Sequence, residues 1–121
     1  MLKNSYSDIK TFISMNYNRD KDKIKEMGIE DYNDYMVDSV LGNESFEDET
    51  DEFMNILAIC VVMKEMKLHD DYFFNILDEL IIKYKNNEYK ISENDKKLIN
   101  NDLKLIYLCL FFYAVVFCSS R

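Results

Sequence analysis

The fold class is decided by one stretch, Phe53 to Met66, which has the sequence FMNILAICVVMKEM. Within it, Ile56 to Met63 is an unbroken apolar run, and a helix that is apolar on every side must be buried on every side. Apolar residues continue at intervals of three and four residues on both flanks of the run, which favours a helix over a short buried strand. We therefore predict a buried central helix at about residues 52–67.

Amphipathic patterns on both sides of this stretch predict the helices that surround it. In the first, Ile9, Phe12, Ile13 and Tyr17 are expected to share one apolar face. The predicted elements are a helix that begins at Ser5 or Ser7 and ends near Asn18, a short helix that ends at Gly28, a helix from Asp31 to Leu41, a helix from Tyr72 to Tyr84 capped by Asp70 or Asp71, and a last helix opened by Ser92.

Composition agrees with a single all-α domain over residues 1–121. The chain has no proline and two glycines, so it lacks the turn residues of a β-sandwich or barrel. Its net charge of -8 disfavours binding to nucleic acid, which depends on Lys and Arg. Three cysteines in apolar runs form no regular disulfide pattern, which favours a reducing, intracellular compartment.

The polar segments provide no pattern for catalysis or for a cofactor. The acidic stretch from Glu44 to Glu52 lacks the alternating ligands and the central glycine of a calcium loop, so we expect a solvated loop. The single histidine, His69, has no cysteine or second histidine near it in sequence that would complete a zinc site. We predict a protein that is not an enzyme and holds no metal or cofactor.

The C-terminal segment 105–118 is apolar and allows two interpretations. It is shorter than the roughly 20 residues that a membrane-spanning helix needs. It is therefore either the final core helix or a tail anchor whose span includes part of the polar stretch before it. The second interpretation makes a membrane a possible partner.

The order of several segments resembles the poxvirus Bcl-2-like family, whose domains surround a buried helix with amphipathic ones. The resemblance covers about half of the chain. It is carried by Gly28, Ile29, Glu30, Asn33 and Val37, by Glu52, Phe53 and Ile56 to Cys60 in the central helix, and by Phe74 to Leu77 in the helix after it.

This resemblance implies a Bcl-2-like helical bundle and a viral protein that binds host signalling proteins in the Toll-like or NF-κB pathway, in the host cytoplasm. The alternative is an apoptosis inhibitor that binds a pro-apoptotic helix in a groove and is anchored at the mitochondrial outer membrane. A third possibility is a small bacterial or phage helical protein of unknown role.

Because tyrosines are frequent interface anchors, we predict a partner or homodimer surface at Tyr6, Asp8, Tyr32 and Tyr35. Partly buried aromatic residues are the competing interpretation.

Overall fold

The computed structural model describes residues 5–41 and 48–119, with side chains for residues 5–39 and 48–106. These residues are helical and contain no strand, so the predicted all-α class is confirmed. The helices are α1 (Tyr6–Arg19), α2 (Lys21–Met27), α3 (Ile29–Tyr35), which continues into a π-helical segment (Met36–Leu41), α4 (Glu49–Glu65), α5 (Asp71–Lys85) and α6 (Glu93–Ser119).

Helix α4 is the central helix that the apolar run predicts. Every residue from Phe53 to Met63 is buried, and α4 packs against α1, α5 and α6. It begins at Glu49, so the expectation that Glu49 to Glu52 belong to a loop is wrong. The side chain of Asp48 accepts hydrogen bonds from the Thr50 and Asp51 backbone amides, and carboxylates in a first turn are favoured by the helix dipole. The preceding part of the predicted loop, residues 44–47, lies outside the described residues.

Three aromatic rings fix the first turns of α4 against the end of α5 and the chain that follows it. Phe53 stacks between Tyr84 and Tyr89, with ring centroids 5.0 Å and 5.1 Å away. Burial, followed by the nearby carboxylates of α4, raises the pKa of Tyr89 to about 12. The Tyr89 hydroxyl is buried without a hydrogen-bond partner among the described residues.

Several predicted helix ends are confirmed. Ser5 caps α1 by accepting from the Asp8 amide, and Asp70 caps α5 by accepting from the Tyr72 amide. Gly28 ends α2 with φ of 89°, a conformation that side chains with a Cβ rarely adopt. The predicted apolar face of α1 is wrong at Phe12, which is exposed, because the helix turns this position away from α4 and buries Asn16 instead.

Helix α6 joins the core through Ile99, Leu103 and Ile106, which are buried, while Leu105 is exposed. The choice between core helix and tail anchor for residues 105–118 depends mainly on side chains from residue 107 onwards, which lie outside the described set. Among the residues that the structure describes, no helix combines the length and apolarity that a membrane crossing requires.

Candidate protein-binding cleft

The four tyrosine and aspartate positions predicted as an exposed binding surface do not form one surface. Tyr6 and Tyr32 are 1% and 0% exposed, so the expectation that they are exposed anchors is wrong. Both rings fill the core because α1 and α3 turn these positions inward, and their hydroxyls reach carboxylates. Asp8 is exposed on α1. Tyr35 is partly buried, with its ring centroid 5.9 Å from that of Tyr32 and 4.0 Å from Lys23 Nζ.

A cleft of about 480 Å³ lies between α1 and α6, and we call it the α1/α6 cleft. It follows α1 from Tyr6 to Met15, about 14 Å at the rise of an α-helix, or two and a half turns. Its lining consists of Tyr6, Ser7, Lys10, Thr11, Ser14 and Met15 from α1 with Leu98, Asn101 and Asp102 from α6.

Hydrogen bonds and an ion pair at the buried carboxylate of Asp102 form the polar floor of the cleft. The Tyr6 hydroxyl donates to Asp102 Oδ2 over 2.6 Å, and Lys10 Nζ lies 3.2 Å from the same carboxylate. Lys10 also lies 3.7 Å from the exposed Glu65 carboxylate of α4. Burial, followed by the hydrogen bond to Asp102, raises the pKa of the Tyr6 hydroxyl. Tyr6 therefore stays protonated and donates at neutral pH.

The rim of the cleft is apolar at two points. Met15 and Leu98 are 66% and 42% exposed, although both are large apolar side chains. The lining also includes Ser7, Thr11 and Ser14 of α1, whose small side chains let another chain approach the helix closely. A concave surface with apolar side chains at the rim and a few fixed polar groups is typical of a binding site.

Sequence reasoning finds Tyr6 but misses the rest of this cleft. Tyr6 and Asp102 are 96 positions apart, and Lys10 and Asp102 are 92 apart. No periodicity within one helix connects them, because their contact depends on how α6 docks on α1. The sequence gives no signal at Met15 or Leu98, since Phe12 lies one turn before Met15 and Ile99 directly follows Leu98, so neither is an isolated apolar residue.

A second polar network joins α1, α3 and the start of α5. Asn33 is fully buried, accepts a hydrogen bond from the Tyr17 hydroxyl, and donates to Asp70 Oδ2 over 2.9 Å. The same amide group lies 3.3 Å from the sulfur of Met63 in α4. Burial raises the pKa of Tyr17, so its hydroxyl remains a donor. These bonds hold α3 against the core and do not line the α1/α6 cleft.

A smaller depression of about 440 Å³ is lined by Glu30, Asp34, Asp70 and Tyr72. Its walls are acidic, yet no grouping of His, Cys, Asp or Glu within the described part of the chain could hold a metal ion. Asp70 is also already engaged by Asn33 and by the first turn of α5. We therefore place the candidate site at the α1/α6 cleft.

Comparison with known proteins identifies no relative: no family model, curated protein or solved structure matches this chain.

Proposed function

We propose that this chain is a protein-binding domain that captures a helical segment of a host protein in the α1/α6 cleft. The observation that carries the proposal is that two exposed apolar side chains, Met15 of α1 and Leu98 of α6, line a concave surface that also has a fixed polar floor. Amphipathic helices bind in such grooves through apolar anchors spaced by one or two turns. The length of the cleft along α1 suits a partner helix of two to three turns.

The class of partner follows from the sequence resemblance. The poxvirus Bcl-2-like family supports an antagonist of host innate immune signalling that occupies a surface on a Toll-like or NF-κB pathway component. The buried central helix α4, packed against α1, α5 and α6, is compatible with a Bcl-2-like bundle. In this role the domain blocks a surface of its partner by binding to it, and this action needs no catalytic group.

Inhibition of apoptosis is the second proposal, and the apolar sequence of residues 105–118 favours it. An inhibitor of this kind would bind the helical death motif of a pro-apoptotic protein while its C-terminus associates with a membrane. The two proposals share the cleft and differ in the partner, so one set of variants tests both.

The experiment measures binding of the full chain to purified NF-κB pathway components and to synthetic helical death-motif peptides. The test variant is Met15→Asp combined with Leu98→Asp. A charge at each rim position must lose water when the partner docks, so the affinity should fall by at least about tenfold, equivalent to 1.4 kcal/mol.

The matched control is Ile82→Asp on α5, an apolar residue of similar exposure that does not line the cleft. Both variants should keep the circular dichroism spectrum of the parent chain, because all three positions are exposed. Normal binding by the cleft variant, or equal loss in the Ile82 control, would refute the assignment of the cleft.

A further inference from the structure

The lysines of this acidic chain are concentrated in one region, the end of α5 and the first half of α6. Residues 83–104 contain six lysines and four acidic residues, although the whole chain has 15 basic and 23 acidic residues and a net charge of -8. The rest of the chain therefore carries all of the negative excess. A local excess of one sign of charge in a chain of the opposite sign indicates a surface for a charged partner.

The folded structure strengthens this positive excess, because two of the four acidic side chains are used inside the protein. The carboxylate of Asp95 accepts a hydrogen bond from the Tyr6 backbone amide over 3.2 Å. Asp102 is buried and accepts from the Tyr6 hydroxyl. Both carboxylates therefore face α1. The exposed acidic residues of this region, all of which the structure describes, are Glu88 and Glu93.

The side of α6 that faces solvent presents lysine and leucine side chains at a regular spacing. Lys97 and Leu98 are followed seven residues later by Lys104 and Leu105, so each pair returns to the same side of the helix after two turns. All four side chains are exposed, Leu105 to 59%. Neither lysine forms an ion pair with any residue that the structure describes. We call these four residues the α6 outer face.

Further lysines lie next to the α6 outer face. Asn100 lies one turn from each of its two lysines and accepts a hydrogen bond from the Tyr84 hydroxyl of α5. This bond places the last turn of α5, which carries Lys83 and Lys85, beside α6. Lys90 is exposed in the connection between the two helices. A surface that contacts α6 from solvent therefore meets additional positive charge beside the outer face.

Lysine and leucine side by side on an exposed helix suit the surface of an anionic membrane. Ammonium groups bind the phosphates and carboxylates of the headgroups, and leucine side chains enter the boundary between headgroups and acyl chains. The sequence continues from Leu105 as an apolar run to residue 118, which favours lipid over an acidic protein. A second copy of the chain is disfavoured, because contact between two α6 outer faces would bring lysines of like charge together.

We propose that the α6 outer face docks this protein in the plane of an anionic lipid surface, with Lys97 and Lys104 at the headgroups and Leu105 inserted between them. The acidic remainder of the chain is repelled by the same surface, which favours approach by this side of the protein. Lys97, Lys104 and Leu105 do not line the α1/α6 cleft, so the proposal does not depend on what the cleft binds. It gives a lipid class to the membrane association in the apoptosis proposal without resting on that proposal.

The experiment measures co-sedimentation of the full chain with two kinds of vesicle, phosphatidylcholine alone and phosphatidylcholine with phosphatidylserine in equal parts. Binding to the mixed vesicles should be at least about tenfold tighter. Lys97→Gln combined with Lys104→Gln should weaken binding to the mixed vesicles about 30-fold, equivalent to about 1 kcal/mol for each lysine. Raising the salt concentration should also release the chain, because salt screens these charges.

The matched control is Lys21→Gln combined with Lys25→Gln on α2, which removes the same charge from two exposed positions and should bind like the parent chain. Both double variants should keep the parent circular dichroism spectrum and capture the partner of the cleft normally. Equal binding by the two double variants overturns the proposal, and so does equal binding to the two kinds of vesicle or binding to neither. Release of the bound chain by soluble polyglutamate at matched carboxylate concentration would assign the face to an acidic protein and overturn the choice of lipid.

The wild-type chain provides a measurement that does not depend on any substitution. Its lysines are acetylated with and without the mixed vesicles, and the rate at each position is measured by mass spectrometry of the peptides. Lys97 and Lys104 should react more slowly when vesicles are present, while Lys21 and Lys25 keep their rates. Unchanged rates at Lys97 and Lys104 on chains that are bound to vesicles would place the contact elsewhere and overturn the proposal.

Discussion

Replacing Asn33 with Leu should destabilise the fold strongly, although the two side chains are similar in size. Asn33 is completely buried, and its amide is the partner of both the Tyr17 hydroxyl and Asp70 Oδ2. A buried polar group left without a partner costs roughly 1–3 kcal/mol, and a charged one costs more. Asn33→Leu leaves the Tyr17 hydroxyl without its acceptor and removes one bond from Asp70, whose Oδ1 still accepts from the Tyr72 amide, so the expected loss is about 2–4 kcal/mol. Domains of this length are typically stable by about 6–18 kcal/mol, so the variant should remain measurable.

The assay is urea unfolding followed by far-ultraviolet circular dichroism, in which the midpoint should fall while the slope stays unchanged. Tyr17→Phe in the Asn33→Leu background removes the stranded hydroxyl and should recover about 1–2 kcal/mol. Asn75→Leu on the exposed face of α5 is the matched control and should change stability by less than about 0.5 kcal/mol. A loss at Asn33 no larger than at Asn75, or no recovery with Tyr17→Phe, would contradict the role of this network.

Three further predictions concern stability. Phe53→Ala should cost about 3–5 kcal/mol in the same urea assay, because it removes the ring between Tyr84 and Tyr89, and a loss under about 1 kcal/mol would argue against the stack. Gly28→Ala should cost about 1–2 kcal/mol through backbone strain alone, since no atom lies within 4 Å of the added Cβ; an unchanged midpoint would show that φ of 89° is not required. Alkaline titration should lower stability from about pH 10 upwards, because folding raises the pKa of several tyrosines above their usual value near 10, that of Tyr89 to about 12 and those of Tyr6 and Tyr17 further; the protonated forms stabilise the fold below that window. Tyr89→Phe should make the decline between about pH 10 and pH 12 less steep without removing it, and an unchanged slope would argue against the shift at Tyr89.

The helical framework could be predicted from the sequence because its determinants are local. The apolar run Ile56 to Met63 has no polar face to expose, so burial on all sides follows directly. Ser5 and Asp70 are capping residues that precede apolar helical patterns, and both accept the expected backbone amide. Gly28 was also predictable from the local sequence, because few residues other than glycine adopt a φ of 89°.

The outcome for the tyrosines shows where local patterns are insufficient. Tyr6, Tyr17 and Tyr32 are buried, and each hydroxyl has a hydrogen-bond acceptor: the buried Asp102 and Asn33 for the first two, and the partly exposed Asp20 for Tyr32. These acceptors lie 12 to 96 positions away in sequence. A tyrosine on an amphipathic helix gives the same local pattern whether its hydroxyl reaches water or a buried carboxylate. Only the packing of the helices decides between the two.

The cleft and the docking of α6 both depend on one residue, Asp102, whose role follows from helix packing and not from the local sequence pattern. Asp102 is a carboxylate on the apolar face of α6, where the helical pattern alone would expect Leu or Ile. A buried carboxylate is tolerated only if its partners come with it, and Tyr6 and Lys10 supply a hydroxyl and an opposite charge. These partners fix the register of α6 on α1, which places Leu98 in the lining of the cleft. A substitution at Asp102 should therefore disturb the binding surface even though the side chain itself is buried.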